Sequence, residues 1–126
     1  MQYIFEPVEK ASSGPSGERL PQNAVRISDK GYITVSQNLK KRLSSTERTL
    51  DSGLNTYRIK IYVDAINQAM KIEPNPNGFS FFSRNEARPL YSSHGRQLKK
   101  LGMYSGIYKL IDSGDDSLVF ALEPPF

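Results

Sequence analysis

Strict alternation of apolar and polar residues over positions 57–63 is the sequence feature that most constrains this fold. The residues of one set are apolar or aromatic: Tyr57, Ile59, Ile61 and Val63. The intervening residues are Arg58, Lys60 and Tyr62. A β-strand places successive side chains on opposite faces, so a period of two predicts a half-buried strand rather than a helix. One such strand cannot bury its own apolar face, so further elements of the chain must cover it.

Shorter strand-forming segments surround this run. Before it, residues 25–27 and 32–35 are rich in β-branched and aromatic side chains and flank a tight turn at 29–31. After it, residues 70–72 predict the returning strand of a hairpin, which Pro74 ends. The remaining strands are predicted at residues 79–82, 108–110 and 119–122.

Two short helices are predicted between these strands. Ser36 is a suitable N-cap for the first, which would bury Leu39 and Leu43 on one face. Ser92 or Ser93 is a suitable N-cap for the second, which would carry Leu98 and Leu101 and end at Gly102. The sequence Leu-Lys-Lys occurs in both, at 39–41 and at 98–100. We interpret the two halves as degenerate units of a helix and a hairpin; chance similarity between short basic helices is the alternative.

These elements predict an α+β fold in one domain that spans residues 1–126. The expected architecture is a small, mostly antiparallel β barrel or sheet with two short helices. The segment 11–23 contains many serine, glycine and proline residues, so we expect it to be a flexible loop.

The composition argues against several classes of functional site. The 126 residues include no cysteine and a single histidine, His94, which excludes disulfides, thiolate zinc sites and multi-histidine metal centres. The sequence contains no Gly-x-Ser-x-Gly motif, no phosphate-binding glycine loop and no dinucleotide fingerprint. We therefore expect a protein that is not an enzyme and that uses neither a metal nor a cofactor.

The N-terminal residues indicate where the protein resides. Residues 1–10 contain Glu6 and Glu9 and no long apolar run. We therefore expect neither a signal peptide nor a membrane span, and a cytoplasmic location follows as the expectation.

Basic residues are concentrated in two blocks. Residues 37–60 contain six basic and two acidic side chains, and residues 84–109 contain six basic and one acidic, in a chain of net charge +4. A clustered basic surface attracts phosphate backbones through counterion release, whereas solvated helix faces are the alternative explanation.

The second block mixes cationic and aromatic groups, which predicts a surface that contacts phosphates and stacks on bases, or that anchors a protein interface. Its candidate residues are Arg84, Arg88, Tyr91, Arg96, Lys99 and Lys100.

The segment 31–43, with the sequence GYITVSQNLKKRL, resembles the N-terminal motif of the AbrB/MazE-like DNA-binding domains. That motif places aliphatic residues around a threonine and ends in two basic residues, any residue and a leucine. The hairpin at 57–74 resembles the closing hairpin of the same domain, so the resemblance covers residues 25–74. Ser36 stands where the family has proline, and the stretch 44–55 is longer than the family's Gly-Asp turn.

The resemblance implies a DNA-binding regulator whose contacts come from basic residues of the first hairpin and helix. At the matching or adjacent positions this chain has Arg26, Lys30, Lys40, Lys41 and Arg42. The family's barrel forms from interleaved hairpins of two chains. A second helix-hairpin unit would complete that barrel within one chain, so a monomer and a homodimer are both compatible with the sequence.

DNA is accordingly the expected partner. The alternative hypothesis is a phage or mobile-element accessory protein that binds and inhibits a host protein, for example an anti-CRISPR or other anti-defence inhibitor. In that case residues 79–96 and the acidic turn at 112–116 would form the contact surface.

Overall fold

The computed structural model describes residues 20–85 and 87–124. In these residues the chain forms nine β-strands, one 3₁₀ helix (Gln37–Thr46) and one α-helix, α1 (Gly95–Lys100). The strands are β1 (Ala24–Ile27), β2 (Ile33–Val35), β3 (Arg48–Thr49), β4 (Asn55–Asp64), β5 (Ala69–Pro74), β6 (Phe79–Ser83), β7 (Leu90–Ser92), β8 (Gly106–Ser113) and β9 (Leu118–Leu122). Most of the predicted loop 11–23 lies outside the described residues.

Eight of these strands close into an antiparallel barrel. Around the barrel the order is β4-β5-β9-β8-β1-β2-β7-β6, and β6 returns to pair with β4. The length of β4 makes this closure possible, because its first half pairs with β6 (Tyr57↔Phe81) and its second half pairs with β5 (Ile61↔Ile72). β3 lies outside the ring and pairs with the beginning of β4.

The predicted α+β class is wrong. The described residues are mostly β, a closed eight-stranded barrel with one extra strand, and only 15% of them are helical. Two segments account for much of the difference. Residues 44–55, predicted as a connection, contain β3, and residues 90–92, where a helix cap was expected, form β7.

The first helix differs from the prediction because Ser36 does not cap it. The Ser36 hydroxyl accepts a hydrogen bond from the backbone N–H of Ala24 at 3.1 Å, which extends the β1–β2 pairing. The segment that follows winds into 3₁₀ turns, in which residues three apart lie one above the other. Lys40 and Leu43 are buried together in this way, beside Leu39.

The second helix is one and a half turns long. Its N-cap is His94 rather than a serine. It ends as predicted at Gly102, whose φ is +98° and which is followed by a hydrogen bond from the Met103 N–H to the Leu98 carbonyl oxygen at 3.1 Å. This is the usual glycine termination of a helix.

The hydrophobic core fills the barrel. In β4, Tyr57 and Ile59 are buried while Arg58 and Lys60 are exposed, so the alternation correctly predicted which side faces inward. The core combines residues of all eight barrel strands with residues of the 3₁₀ helix, of α1 and of the loop after α1. They are Val25, Ile27, Ile33, Val35, Leu39, Leu43, Tyr57, Ile59, Met70, Ile72, Phe81, Leu90, Leu98, Met103, Tyr108, Leu118 and Phe120.

The strand order is symmetric between the two halves of the chain. Four exchanges leave every strand of the ring with the same neighbours: β1 with β6, β2 with β7, β4 with β8, and β5 with β9. The corresponding two-fold axis passes between β2 and β7 on one side and between β5 and β9 on the other. Because each of these pairs is antiparallel, the axis exchanges the two ends of the barrel. The 3₁₀ helix follows β2 and α1 follows β7, so the two helices lie at opposite ends.

A buried polar network ties the β4–β5 turn to the loop after α1. Gln68 is 1% exposed, and its Nε2 donates to the carbonyl oxygens of Ala65 and Gly102, each at 2.8 Å. Its Oε1 accepts from the Tyr104 N–H at 2.8 Å and from the Tyr108 hydroxyl at 3.0 Å. Burial raises the pKa of Tyr108 to about 12, because a phenolate is poorly solvated in this site.

Tyr108 is expected to make stability sensitive to alkali. The pKa of Tyr108 is about 12 in the folded protein and about 10 in an unfolded chain. The free energy of unfolding is therefore retained below about pH 10 and falls as the pH rises through about 12, because the unfolded state loses this proton first. Urea unfolding over this alkaline range should show a shallower decline for Tyr108→Phe than for the wild type.

Tyr32→Phe is the matched control, since Tyr32 is 52% exposed. This variant should keep the wild-type decline. An equally steep decline in Tyr108→Phe would show that another group causes the alkaline sensitivity.

Candidate nucleic-acid interface

A continuous row of side chains crosses the outer face of seven neighbouring strands. Cross-strand pairing joins its members in the order Ile107, Arg26, Thr34, Tyr91, Phe82, Thr56 and Arg48. They point outward because their neighbours in the barrel strands point into the core. Adjacent strands lie about 4.8 Å apart, so the row follows the curved surface for about 24 Å from Arg26 on β1 to Arg48 on β3. This path leads halfway around the ring, because β4, to which β3 is paired, lies opposite β1.

Two aromatic side chains occupy the middle of this row. Phe82 and Tyr91 are directly paired across β6 and β7, with ring centroids 6.0 Å apart and ring planes inclined by 40°. Both side chains are half-buried. A partly exposed ring on a sheet surface offers a flat face on which a nucleic-acid base can stack.

Arginine side chains lie on one side of the aromatic pair, around the loop between β6 and β7. Arg84 and Arg88 line a recess of about 580 Å³ together with Tyr91. Arg88 also lines a neighbouring recess of about 640 Å³, which contains Arg26 and Thr34.

Two more arginines lie on the other side of the pair. Arg48 and Arg58 line a recess of about 710 Å³ that contains Phe82. Since Phe82 is next to Tyr91, the three recesses follow one path across the sheet. We call this path the arginine groove, and define it by Arg26, Arg48, Arg58, Arg84, Arg88, Phe82 and Tyr91.

The residues that line the arginine groove carry much more positive than negative charge. Among the described residues that line the three recesses, five are arginines and one, Glu47, is acidic. Glu47 accepts a hydrogen bond from the Tyr57 hydroxyl. No hydrogen bond or ion pair within residues 20–85 and 87–124 engages the guanidinium groups of four of the arginines. These four are Arg48, Arg58, Arg84 and Arg88, and all are exposed.

Hydrogen bonds within the β6–β7 loop fix the backbone that carries Arg84 and Arg88. The Asn85 Oδ1 accepts from the Ala87 N–H at 2.9 Å. The Asn85 carbonyl oxygen accepts from the Arg88 N–H at 3.2 Å and from the Ser83 hydroxyl at 2.9 Å. An asparagine that bonds to the backbone two residues further on stabilises a tight turn.

Lys40 anchors the same loop from the end of the barrel. Its side chain is 8% exposed, and its Nζ donates to the Ser83 hydroxyl and, at 2.7 Å, to the Asn85 carbonyl oxygen. An ammonium group held by these internal acceptors is not presented to a phosphate. Lys40, predicted as a DNA contact, is therefore a positioning residue for the loop that carries two of the groove arginines.

The structure does not bring the other basic residues of the first hairpin and helix together. Lys41 and Arg42 are exposed at the end of the barrel with the 3₁₀ helix, where Arg42 donates to the Ser113 hydroxyl at 2.7 Å and to the Gly114 carbonyl oxygen. Lys30 is exposed in the β1–β2 turn at the opposite end. Of this predicted set, Arg26 is the residue that lines the arginine groove.

The second predicted set is divided as well. Arg84, Arg88 and Tyr91 belong to the arginine groove, whereas three residues lie on α1 at the far end of the barrel: Arg96, Lys99 and Lys100. There the Lys99 Nζ donates to the Asp29 carbonyl oxygen at 3.3 Å. The two Lys-Lys pairs therefore lie at opposite ends and do not form one cationic surface.

Sequence reasoning missed Arg48 and Arg58 as members of the site. For Arg58 the signal was present, because the alternating run places it on the outer face of β4. Arg48 had no such signal, since β3 is two residues long and lies in a segment with no strand pattern.

Comparison of the chain with known protein families, curated proteins and solved structures found no match. Within the described part of the chain, no group of three or more histidine, aspartate or glutamate side chains is placed to hold a metal ion. No helix in that part is long and apolar enough to cross a membrane.

The two neighbouring lysines of the 3₁₀ helix provide a matched test of the positioning role. Lys40→Met keeps an unbranched apolar stem but removes the buried Nζ donor to Ser83 and Asn85, so the free energy of unfolding should fall by about 1–3 kcal/mol. Lys41→Met, at an exposed position, should change it by less than about 0.5 kcal/mol. Urea unfolding of both variants measures the difference, and equal values would contradict the anchoring role of Lys40.

Proposed function

We propose that this protein is a non-enzymatic nucleic-acid-binding protein that holds single-stranded DNA or RNA along the arginine groove. The observation that carries the proposal is the pairing of Phe82 with Tyr91 in the middle of a row flanked by arginines. Stacking platforms bordered by cations are the general means by which proteins bind unpaired nucleic acid.

The arginines supply attraction to the phosphate backbone. Four of the five guanidinium groups are exposed and unengaged within the described residues, and Glu47 is the one acid that lines the groove there. Each phosphate that such a groove neutralises releases condensed counterions, with a salt dependence of about 0.7 per phosphate for a single strand. Four contacts, one for each of these exposed groups, would give a slope of about −2.8 for log K against log salt concentration.

The aromatic pair favours a single strand over a duplex. In a duplex the faces of the bases are stacked on one another, so side chains contact base edges and phosphates instead. Phe82 and Tyr91 lie half-buried on the outer surface of the barrel, where the exposed part of a ring can stack on a base that is not already stacked in a duplex. A groove of about 24 Å is compatible with the site sizes of about 4–16 nucleotides that small barrels use.

The AbrB/MazE-like resemblance implies duplex binding through the first hairpin and helix. The geometry supports this less well than it supports single-strand binding along the arginine groove. Lys40 is buried, and Lys30 lies at the other end of the barrel from Lys41.

Removing two groove arginines should reduce both affinity and salt dependence. In Arg84→Ala/Arg88→Ala, the slope of log K against log salt should become less steep by about 1.4, from two lost phosphate contacts. Fluorescence anisotropy of a labelled mixed-sequence oligonucleotide over a sodium chloride series measures this slope.

The matched control for that experiment is Lys99→Ala/Lys100→Ala. It removes the same charge from α1 at the far end of the barrel and should leave the slope unchanged. An equal effect in both variants would mean that net charge alone governs binding, and would contradict a specific groove.

Removing the ring of Tyr91 should weaken binding without changing the salt slope. The loss of one stacked base costs about 1–3 kcal/mol, which is about a 5- to 150-fold weaker affinity for Tyr91→Ala. Tyr91→Phe retains the ring and should bind as the wild type does in the same assay.

Two results would overturn the proposed function. One is tighter binding to a duplex than to either of its separated strands at equal salt concentration. The other is a protein that binds no oligonucleotide but still co-purifies with a host protein after nuclease treatment. That result would favour the inhibitor hypothesis instead.

A further inference from the structure

The recess beside Tyr91 is large enough to hold a nucleic-acid base. Its lining consists of Arg84, Asn85, Arg88, Pro89 and Tyr91, and its volume is about 580 Å³. This volume lies within the range of about 300–1,000 Å³ of small-ligand recesses. The Tyr91 and Pro89 rings provide flat apolar surfaces, which suit a planar base better than a phosphate alone.

Hydrogen-bond acceptors in this recess are already used by the protein. The Asn85 Oδ1 accepts from the Ala87 N–H. The Asn85 carbonyl oxygen accepts from the Lys40 Nζ, from the Ser83 hydroxyl and from the Arg88 N–H.

The polar groups left for a ligand are therefore mostly donors. Arg84 and Arg88 contribute guanidinium groups, which donate and cannot accept. The Asn85 Nδ2 adds another donor, and the Tyr91 hydroxyl can donate or accept. No acidic residue is among the described residues that line the recess.

A recess lined by hydrogen-bond donors favours a base whose edge presents hydrogen-bond acceptors. Guanine presents two adjacent acceptors, N7 and O6, whereas adenine presents N7 beside an amino donor and cytosine presents an amino donor. Thymine and uracil present the O4 acceptor beside an N3–H donor. An arginine pairs with the N7 and O6 of guanine through two parallel hydrogen bonds, which is the commonest specific arginine–base contact.

We infer that this recess recognises guanine in the bound strand, with Tyr91 stacking on the base and Arg84 or Arg88 donating to N7 and O6. This inference rests on the proposed function and adds a base preference to it. The hydrogen bonds from Lys40 to Ser83 and Asn85 fix the backbone of the loop from which both arginines project.

The test uses twelve-nucleotide deoxythymidine oligonucleotides that differ at one central position. Guanine there should bind about tenfold more tightly than adenine, within the discrimination of about 5- to 150-fold that one bidentate contact provides. Hypoxanthine, which keeps N7 and O6, should bind as guanine does. 7-Deazaguanine, which lacks N7, should lose most of the preference.

Arg84→Lys/Arg88→Lys separates base recognition from phosphate attraction. Lysine keeps the positive charge but not the planar pair of donors. This variant should therefore lose the preference for guanine over adenine at the central position, measured as the ratio of the two affinities of the same variant. Both positions are exposed, and circular dichroism checks that the variant folds.

The outcomes distinguish the two levels of the proposal. Equal affinity for all central bases, with binding still dependent on Arg84 and Arg88, would mean phosphate contacts only; it would overturn guanine recognition and leave the proposed function standing. A guanine preference that persists in Arg84→Lys/Arg88→Lys would place recognition elsewhere and overturn the inference. Absence of binding to every oligonucleotide would overturn the proposed function and, with it, the base preference.

Discussion

The pairing of β4 with both β6 and β5 is the constraint on which the rest of the structure depends. It joins the first and last strands of the ring and so removes the open edges that a sheet would otherwise expose. The register of these pairings is fixed by the alternation within β4, because a slip of one residue would carry Arg58 and Lys60 into the core and Tyr57 into solvent. Once β4 is in register, the positions of β6 and β7 follow, and with them the aromatic pair on the outer face.

The arginine groove belongs to the complete barrel and to neither half of the chain alone. Arg26, from the first half, and Arg88, from the second, line the same recess. Lys40, also from the first half, holds the loop of the second half that carries Arg88. Because the strands of the two halves interleave, a substitution in one half can alter the surface that the other half contributes.

The distribution of charge is the feature that separates function from stability in this protein. Several guanidinium groups placed close together repel one another in the free protein, and Glu47 offsets only a small part of that repulsion. Elsewhere in the described residues Lys109 is paired with Glu123, at 3.6 Å. Bound phosphates would supply the missing negative charge.

The sequence by itself determined where the longer strands lie and which of their residues face the core. Period-two alternation at Tyr57 and Ile59, the turn before Tyr32 and the glycine that ends α1 are local properties, since they depend on backbone conformation and on burial of one face. The basic and aromatic character of residues 84–91 was also visible, because residue type alone decides it.

Only the tertiary structure decided how many strands there are, that they close into a ring, and which cations share a surface. β3 and β7 are two and three residues long, too short to carry a period, and they form because neighbouring strands supply their hydrogen bonds. Ser36 could have capped a helix, but pairing with β1 engages its hydroxyl. Lys40 and Lys41 are adjacent in sequence, yet one is buried and the other exposed, because the end of the barrel accepts a side chain from only one face of the 3₁₀ helix. Which charged residues share a surface depends on how distant strands pair, and that pairing is a property of the whole fold.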